Sequence, residues 1–150
     1  MPVVVVPGVS SAHGVPAAAG IPLTHRGLGR SYAVITGRTD PTLGQPDIPY
    51  QTLADIDTIA ILMGRSNWDE ITKGLIVAGR LPGAPTACIA MGCTPGQRSV
   101  FATLETIAAE ADREGLTGPV VTVVGEVVTL GIEQVTCPAN VEAAKATADR

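Results

Sequence analysis

Short runs of apolar residues recur along this 150-residue chain and constrain its fold more than any other feature. Such a run predicts a strand buried on both faces, because a strand of this kind has no polar side to turn toward water. The runs predict strands at Val3–Val6, Tyr32–Thr36, Thr58–Met63, Thr86–Met91, Ser99–Thr103, Val120–Val124 and Val127–Leu130.

Helical segments are predicted between these strands, at Ser10–Gly20, Asn67–Ala78 and Leu104–Glu114. Ser10 or Ser11 is the expected N-cap of the first helix, and Ser66 that of the second, because a serine hydroxyl accepts from an unpaired amide of the first turn. Alternation of strands and helices predicts the α/β class, with a mixed sheet between two layers of helices.

Composition excludes several kinds of function. Net charge is −4 and aromatic residues make up 3%, so the chain lacks the basic clusters and stacking side chains of nucleic-acid binders. No apolar run approaches the length of about 20 residues that a membrane span needs. The three cysteines and two histidines lack metal-ligand spacing, and no signal peptide is evident, so we expect no metal site and a cytoplasmic location.

Three glycine-containing loops follow predicted strands: "PGVSS", "MGRSN" and "MGCTPGQR". Ligands bind α/β proteins at the carboxyl ends of the strands, where a glycine lets a flat ligand approach the backbone. Ordinary strand termination by glycine explains Met63-Gly64 and Met91-Gly92 equally well. The cluster of Ser10, Ser11 and His13 lacks the G-x-S-x-G elbow of hydrolases, and a helix cap is the favoured interpretation.

The segment "IPLTHRG" places Arg26 in a neighbourhood punctuated by glycine and proline. A solvated turn and a site for anion recognition are both compatible with it, because an arginine guanidinium pairs with carboxylates.

The segments "VVPGVSSA", "AGIPLTHRGL", "YAVITG", "ILMG", "TPGQR" and "VVTVVGEVV", in this order and spacing, resemble the tetrapyrrole methylase family. Within the family they look like the uroporphyrinogen-III C-methyltransferase branch, over about residues 3–130. The resemblance implies that residues 1–130 form the carboxy-terminal, cofactor-binding domain of that fold. Residues 131–150 are then a divergent tail, partly helical at Val141–Ala148 or disordered.

The resemblance also implies a ligand and a partner. S-adenosylmethionine, leaving as S-adenosylhomocysteine, would lie in a cleft of a homodimer, and uroporphyrinogen III would be the substrate. Carried over by position, Ser10, Ser11, Met63 and Gly92 are the cofactor-binding residues, and Arg26 faces the tetrapyrrole. Val120-Val121 would lie near the adenine.

Departures from the family pattern concern catalysis. Neither the "GxGPGD" loop nor the "GGDPxxFGRG" loop occurs in these residues, so we expect no catalytic residue here and no activity of this chain alone. Val3–Val6 would then be the last strand of a preceding domain or the bridge from that domain into this one. Arg38 stands where relatives have His, and Cys93 replaces a Thr.

Two alternatives to a cofactor-binding half of a uroporphyrinogen-III C-methyltransferase remain open. The chain is a non-catalytic dimerisation or assembly remnant, or it is the corresponding half of another precorrin methyltransferase.

Overall fold

A computed structural model describes residues 2–38 and 48–131 and contains a five-stranded mixed sheet. The strands are β1 (Tyr32–Thr36), β2 (Thr58–Leu62), β3 (Pro85–Ala90), β4 (Arg98–Thr103) and β5 (Val120–Val124). Their order in the sheet is β1-β2-β5-β3-β4. β1 and β2 are parallel, whereas β5 is antiparallel to both of its neighbours and β4 is antiparallel to β3.

Helices cover both faces of the sheet. The α-helices are α1 (Ser11–Ala18), α2 (Tyr50–Ala54), α3 (Trp68–Val77) and α4 (Ile107–Arg113), and 3₁₀ helices occupy Arg65–Asn67 and Glu126–Leu130. α1 and the second 3₁₀ helix pack on one face, and the three other α-helices pack on the opposite face. The predicted three-layer α/β arrangement is therefore confirmed. No helix in the described residues is long and apolar enough to cross a membrane.

The two sides of the core follow the alternation of side chains along the strands. Under α1, the core consists mainly of β-branched aliphatic side chains with small alanines between them: Val15, Ala19, Ile21, Ala87, Ile89, Val121, Val123, Val127 and Val128. Val120 and Val124 point to the other face, toward α4 and α3. All residues of β5 are buried, as expected for the central strand of a sheet covered on both faces.

A buried polar contact ties α3 to the centre of the sheet. The indole Nε1 of Trp68 donates to Oγ1 of Thr122 over 3.0 Å, and the Cys88 sulfur lies 3.3 Å from the same oxygen. Burial raises the pKa of the Cys88 thiol to about 12, which makes this cysteine a packing residue rather than a nucleophile.

Asp57 immediately precedes β2, and its carboxylate joins the starts of β1 and β2. Its Oδ2 accepts from the Arg30 amide at 2.9 Å, the Ser31 amide at 3.0 Å and the Ser31 hydroxyl at 2.8 Å. These bonds, led by that of the Arg30 amide, lower the pKa of the Asp57 carboxyl. The exposed carboxylate therefore fixes how the first two strands enter the sheet.

Most predicted strands are confirmed to within one residue, and two are wrong. Val3–Val6 forms no strand: its side chains are 81–85% exposed, because no described strand lies beside it. Val127–Leu130 belongs to a 3₁₀ helix. The chain leaves the sheet at Gly125, whose φ of 143° is open to few other residues and whose Cβ position would lie 2.4 Å from the Asp57 carbonyl oxygen.

Two helix predictions also need correction. The residue preceding α3 is Asn67, not Ser66, and its side chain donates to the Gly37 carbonyl instead of capping the helix. The fourth α-helix begins at Ile107 rather than Leu104, and the short helix α2 was not predicted. Ser10 caps α1 as expected. The tail after Gly131, with the predicted helix at Val141–Ala148, lies outside the described residues.

The bond between Trp68 and Thr122 gives a first prediction. Thr122→Val keeps the side-chain shape but leaves a buried indole N–H unpaired, so we expect a loss of about 1–3 kcal/mol in the free energy of unfolding. Urea denaturation followed by circular dichroism measures it. In a Trp68→Phe background the N–H is absent, and the same change should cost far less; equal costs in both backgrounds would contradict the assignment.

The carboxylate of Asp57 gives a second prediction, which concerns the pH dependence of stability. Its pKa is lower in the folded than in the unfolded state, so its stabilisation is complete above the unfolded pKa and disappears as pH falls through the folded pKa. Asp57→Asn should therefore lower the urea midpoint at neutral pH, with the difference shrinking below about pH 4. Asp55→Asn is the matched control, because the Asp55 carboxylate makes no hydrogen bond to another described residue. A pH-independent difference would show that the charge of Asp57 is not responsible.

Candidate functional site

A cavity of about 740 Å³ opens at the sheet edge where β2 and β3 end and β5 begins. Because β5 runs antiparallel to β2 and β3, its first residues lie beside their last ones. The strands supply an apolar floor and the following loops supply the rim. The lining residues are Ser11, Val15, Arg38, Leu62, Met63, Arg65, Ser66, Ile89, Met91, Gly92, Thr94, Gly118, Pro119, Val120 and Val121.

Three non-glycine residues at this edge have left-handed backbone conformations. Met63 has a φ of 55°, Met91 of 50° and Cys93 of 61°, and they are the only non-glycine residues with positive φ in the described part of the chain. The left-handed conformation costs an L-residue roughly 1–2 kcal/mol. Conformations of this kind persist where the surrounding structure imposes them, and they concentrate at ligand sites.

The glycines that follow Met63 and Met91 are required by close packing, not by a left-handed turn. Gly64 has an ordinary φ of −86°, and Gly92 has no positive φ, so neither glycine provides the left-handed turn. A Cβ on Gly92 would lie 2.4 Å from Cγ1 of Val15, and one on Gly64 would lie 2.9 Å from Cγ2 of Ile61. Both positions require glycine because neighbouring atoms come too close for a side chain.

The backbone at this edge divides into paired and unpaired groups. The Met91 amide donates to the Pro119 carbonyl at 3.0 Å, and the Met91 carbonyl accepts from the Thr94 hydroxyl at 2.6 Å. By contrast, the amide and carbonyl groups of Met63 and Gly92 make no hydrogen bond to another described residue. Backbone polar groups that stand unpaired beside an apolar cavity are available to a bound ligand.

Gln97 holds the loop after β3 against α1. Its Oε1 accepts from the Cys93 amide at 2.9 Å, and its Nε2 donates to the Ala18 carbonyl at 3.1 Å. The Cys93 thiol adds a weaker bond to the Gly14 carbonyl at 3.4 Å. The left-handed conformation of Cys93 is thus imposed by contacts to a helix 79 residues away in the chain.

The residues predicted to bind the cofactor divide into two groups. Ser11, Met63 and Gly92 line the cavity, as do Val120 and Val121. Ser10 does not; its hydroxyl accepts from the Ala12 amide at 3.2 Å and caps α1. The structure therefore brings three of the four predicted positions together and gives the fourth a structural contact.

Arg26, the predicted substrate residue, does not line this cavity. It lies at the exposed tip of a hairpin closed by the bridge between His25 and Gly29. Gly29 packs against Asp57 and Thr58, so the hairpin adjoins the amino end of β2, opposite the cavity. A role for Arg26 toward a tetrapyrrole stays a prediction.

Sequence reasoning missed Arg65, Thr94 and Gln97 as site residues and assigned Ser66 to a helix cap. Arg65 and Ser66 lie three and four residues after the end of β2, and their place in the loop after a strand was the available signal. The His13 imidazole bonds to the Tyr32 hydroxyl at 3.1 Å, and the contact of His13 with Ser10 is a backbone one, from the His13 amide to the Ser10 carbonyl at 3.0 Å. Among the described residues no hydrogen bond joins the imidazole to the hydroxyl of Ser10 or Ser11, which agrees with the helix-cap interpretation. No group of metal-ligating side chains occurs within residues 2–38 and 48–131.

Comparison with known proteins agrees with this architecture. The family model of tetrapyrrole (corrin/porphyrin) methylases matches residues 1–108. An S-adenosyl-L-methionine-dependent uroporphyrinogen III methyltransferase of Methanosarcina barkeri is 42% identical over 127 residues, which are 84% of this chain and 50% of the relative. The chain thus spans about half the length of this relative, and about a quarter of the length of longer ones such as the siroheme synthase of Acinetobacter baylyi.

Solved structures give the same result. Uroporphyrin-III C-methyl transferase from Thermus thermophilus, complexed with S-adenyl homocysteine, superposes with a TM-score of 0.68 at 36% identity, covering 86% of this chain and 55% of that one. A cobalt precorrin-4 methyltransferase shares the fold with a TM-score of 0.71 at 23% identity, covering 82% of this chain and 52% of that one. The chain therefore belongs to the tetrapyrrole methylase family.

Proposed function

We propose that the cavity at the ends of β2 and β3 binds S-adenosylmethionine, and that this chain supplies the cofactor side of a uroporphyrinogen-III C-methyltransferase. The names of the M. barkeri and T. thermophilus relatives support both the cofactor and the reaction. A volume of about 740 Å³ falls within the range of small-molecule sites.

The observation that carries the proposal is the state of the backbone at Met63 and Gly92. Both residues line an apolar cavity while their amide and carbonyl groups lack partners among the described residues. A nucleoside cofactor has an apolar ring face and several donors and acceptors at its edges. An apolar floor with unpaired backbone groups along its rim suits both parts of such a ligand.

The cofactor supplies a methyl group on a sulfonium, which is already activated toward attack by a pyrrole carbon. The work left for this chain is binding and alignment, since rate depends on holding carbon, methyl and sulfur in line. Gly92 lines the cavity with backbone groups that are unpaired among the described residues, and Gln97 fixes the loop that carries it. We assign no catalytic residue to this chain, and we infer that residues 1–150 alone do not turn over uroporphyrinogen III.

We further propose that residues 1–130 correspond to the carboxy-terminal domain of the family fold and that the protein works as a homodimer. Exposed apolar residues support an interface: Val3–Val6 are 81–85% exposed, and Val34, in the edge strand β1, is 42% exposed. A run of four consecutive exposed valines is a candidate contact surface. The same observation favours the second candidate function, a non-catalytic assembly module.

Binding of S-adenosylhomocysteine tests the proposed function. Titration calorimetry should give a micromolar dissociation constant for the wild-type chain, which corresponds to a binding free energy of about −8 kcal/mol. Ser11→Phe places a ring in the cavity mouth and should weaken binding at least about tenfold. Ala17→Phe is the matched control, because Ala17 is exposed on the same helix but does not line the cavity.

Two results would contradict the proposal. Equal affinity of the Ser11→Phe and Ala17→Phe variants would place the ligand elsewhere. A stable dimer that does not bind S-adenosylhomocysteine, judged by light scattering beside the calorimetry, would favour the assembly module.

The left-handed conformation of Met63 links stability to binding. Glycine adopts this φ without strain, and the Met63 side chain is 64% exposed, so Met63→Gly should raise the free energy of unfolding by about 1 kcal/mol. The freed backbone should also bind S-adenosylhomocysteine several-fold more weakly, because preorganisation is lost. Met63→Ala keeps the unfavourable φ and should gain no stability; an equal gain in urea denaturation would assign the effect to the side chain instead.

A further inference from the structure

Two arginines line the cavity at the ends of neighbouring strands. Arg38 follows β1 by two residues and Arg65 follows β2 by three. Ion pairs in the described part of the chain join Arg98 to Glu114 and Arg113 to Glu110, so neither cavity arginine has an acidic partner there. None of the described residues that line the cavity is acidic.

The position of Arg65 is set by the core beneath it. Its guanidinium carbon lies 5.9 Å from the ring centroid of Trp68, within the range of a cation–π contact. Trp68 is buried, and its own orientation is fixed by the hydrogen bond to Thr122. Ser66, the next residue in the chain, also lines the cavity.

Arg38 and Arg65 both line the cavity, and two positive charges in one cavity favour an anionic ligand there. A guanidinium presents its donors as a planar fork that matches both oxygens of a carboxylate. Carboxylates occur on both ligands of the proposed reaction, since S-adenosylmethionine has an amino-acid carboxylate and uroporphyrinogen III has acetate and propionate side chains. The shared chemistry of an occupant for this corner is therefore a carboxylate.

We propose that Arg38 and Arg65 form a carboxylate-binding pair at the β1–β2 end of the cavity. This inference rests on the proposed function, because it assigns a residue pair to the ligands of that same cavity. The cavity then has two parts with different ligand chemistry. The floor formed by Leu62, Ile89 and Val121 accepts apolar ring surface, and the arginine pair accepts the charged end of a ligand.

Three probes separate the two sources of the carboxylate in binding experiments on the full chain. S-adenosylhomocysteine has the amino-acid carboxylate, 5′-methylthioadenosine keeps the nucleoside and thioether without it, and uroporphyrin III presents the substrate's carboxylates in an oxidised, stable form. Calorimetry on Arg38→Gln, Arg65→Gln and the double variant is compared with Arg113→Gln, which removes an exposed arginine of α4 that lies outside the cavity. Circular dichroism verifies that each variant is folded.

If the cofactor's carboxylate is bound, the double variant should bind S-adenosylhomocysteine at least roughly tenfold more weakly, with 5′-methylthioadenosine unchanged. If the substrate's carboxylates are bound, the double variant should instead bind uroporphyrin III more weakly by a similar factor. Binding of all three probes within about twofold of wild type overturns the inference and leaves the proposed function intact. A wild-type chain that binds none of the probes overturns the proposed function, and the inference with it.

Discussion

The antiparallel strand β5 between β2 and β3 is the constraint on which the rest of the molecule depends. Neighbouring strands lie about 4.8 Å apart, so β2 and β3 end about 10 Å from each other across the start of β5. At that point β5 is only entering the sheet, and a cavity results between two loops that leave in the same direction. With β2 and β3 paired directly to each other, the two methionine turns would meet and no cavity of this width would remain.

The same constraint explains why strain collects at one edge. The loops after β2 and β3 must turn away at once to leave room for the residues that lead into β5, and Met63 and Met91 adopt left-handed conformations there. Gly118, in the segment that enters β5, packs so closely that a Cβ would lie 2.7 Å from the Met91 sulfur. Close packing leaves glycine as the residue next to each methionine, while the methionine itself takes the unfavourable φ. Each Met-Gly pair therefore meets two separate requirements: the methionine adopts the left-handed conformation, and the glycine leaves room for closely packed neighbours.

Sequence reasoning predicted the parts of the fold that depend on local pattern. Tyr32–Thr36 and Val120–Val124 were predicted with their observed bounds, because an apolar run between turn residues specifies a buried strand by itself. Val3–Val6 has the same pattern and forms no strand in the described chain, since a pattern shows that a segment suits burial but not what would bury it. For the site, Ser11, Met63 and Gly92 followed from a family resemblance, whereas Gln97 and Arg65 act through contacts to Ala18 and Trp68 that only the folded chain reveals.

The two ends of the sheet differ in how they are held together. At the amino ends of β1 and β2, Asp57 accepts three hydrogen bonds, and the Arg80 guanidinium donates to the carbonyls of Ala54, Ile56 and Asp57. At the carboxyl ends, strained methionines and unpaired backbone groups surround a cavity. A ligand site needs groups that are unsatisfied until the ligand arrives, and such groups lower the stability of the free protein. The dense network at one end stabilises the same two strands whose other ends carry that strain, so the fold tolerates a site built from unfavourable backbone.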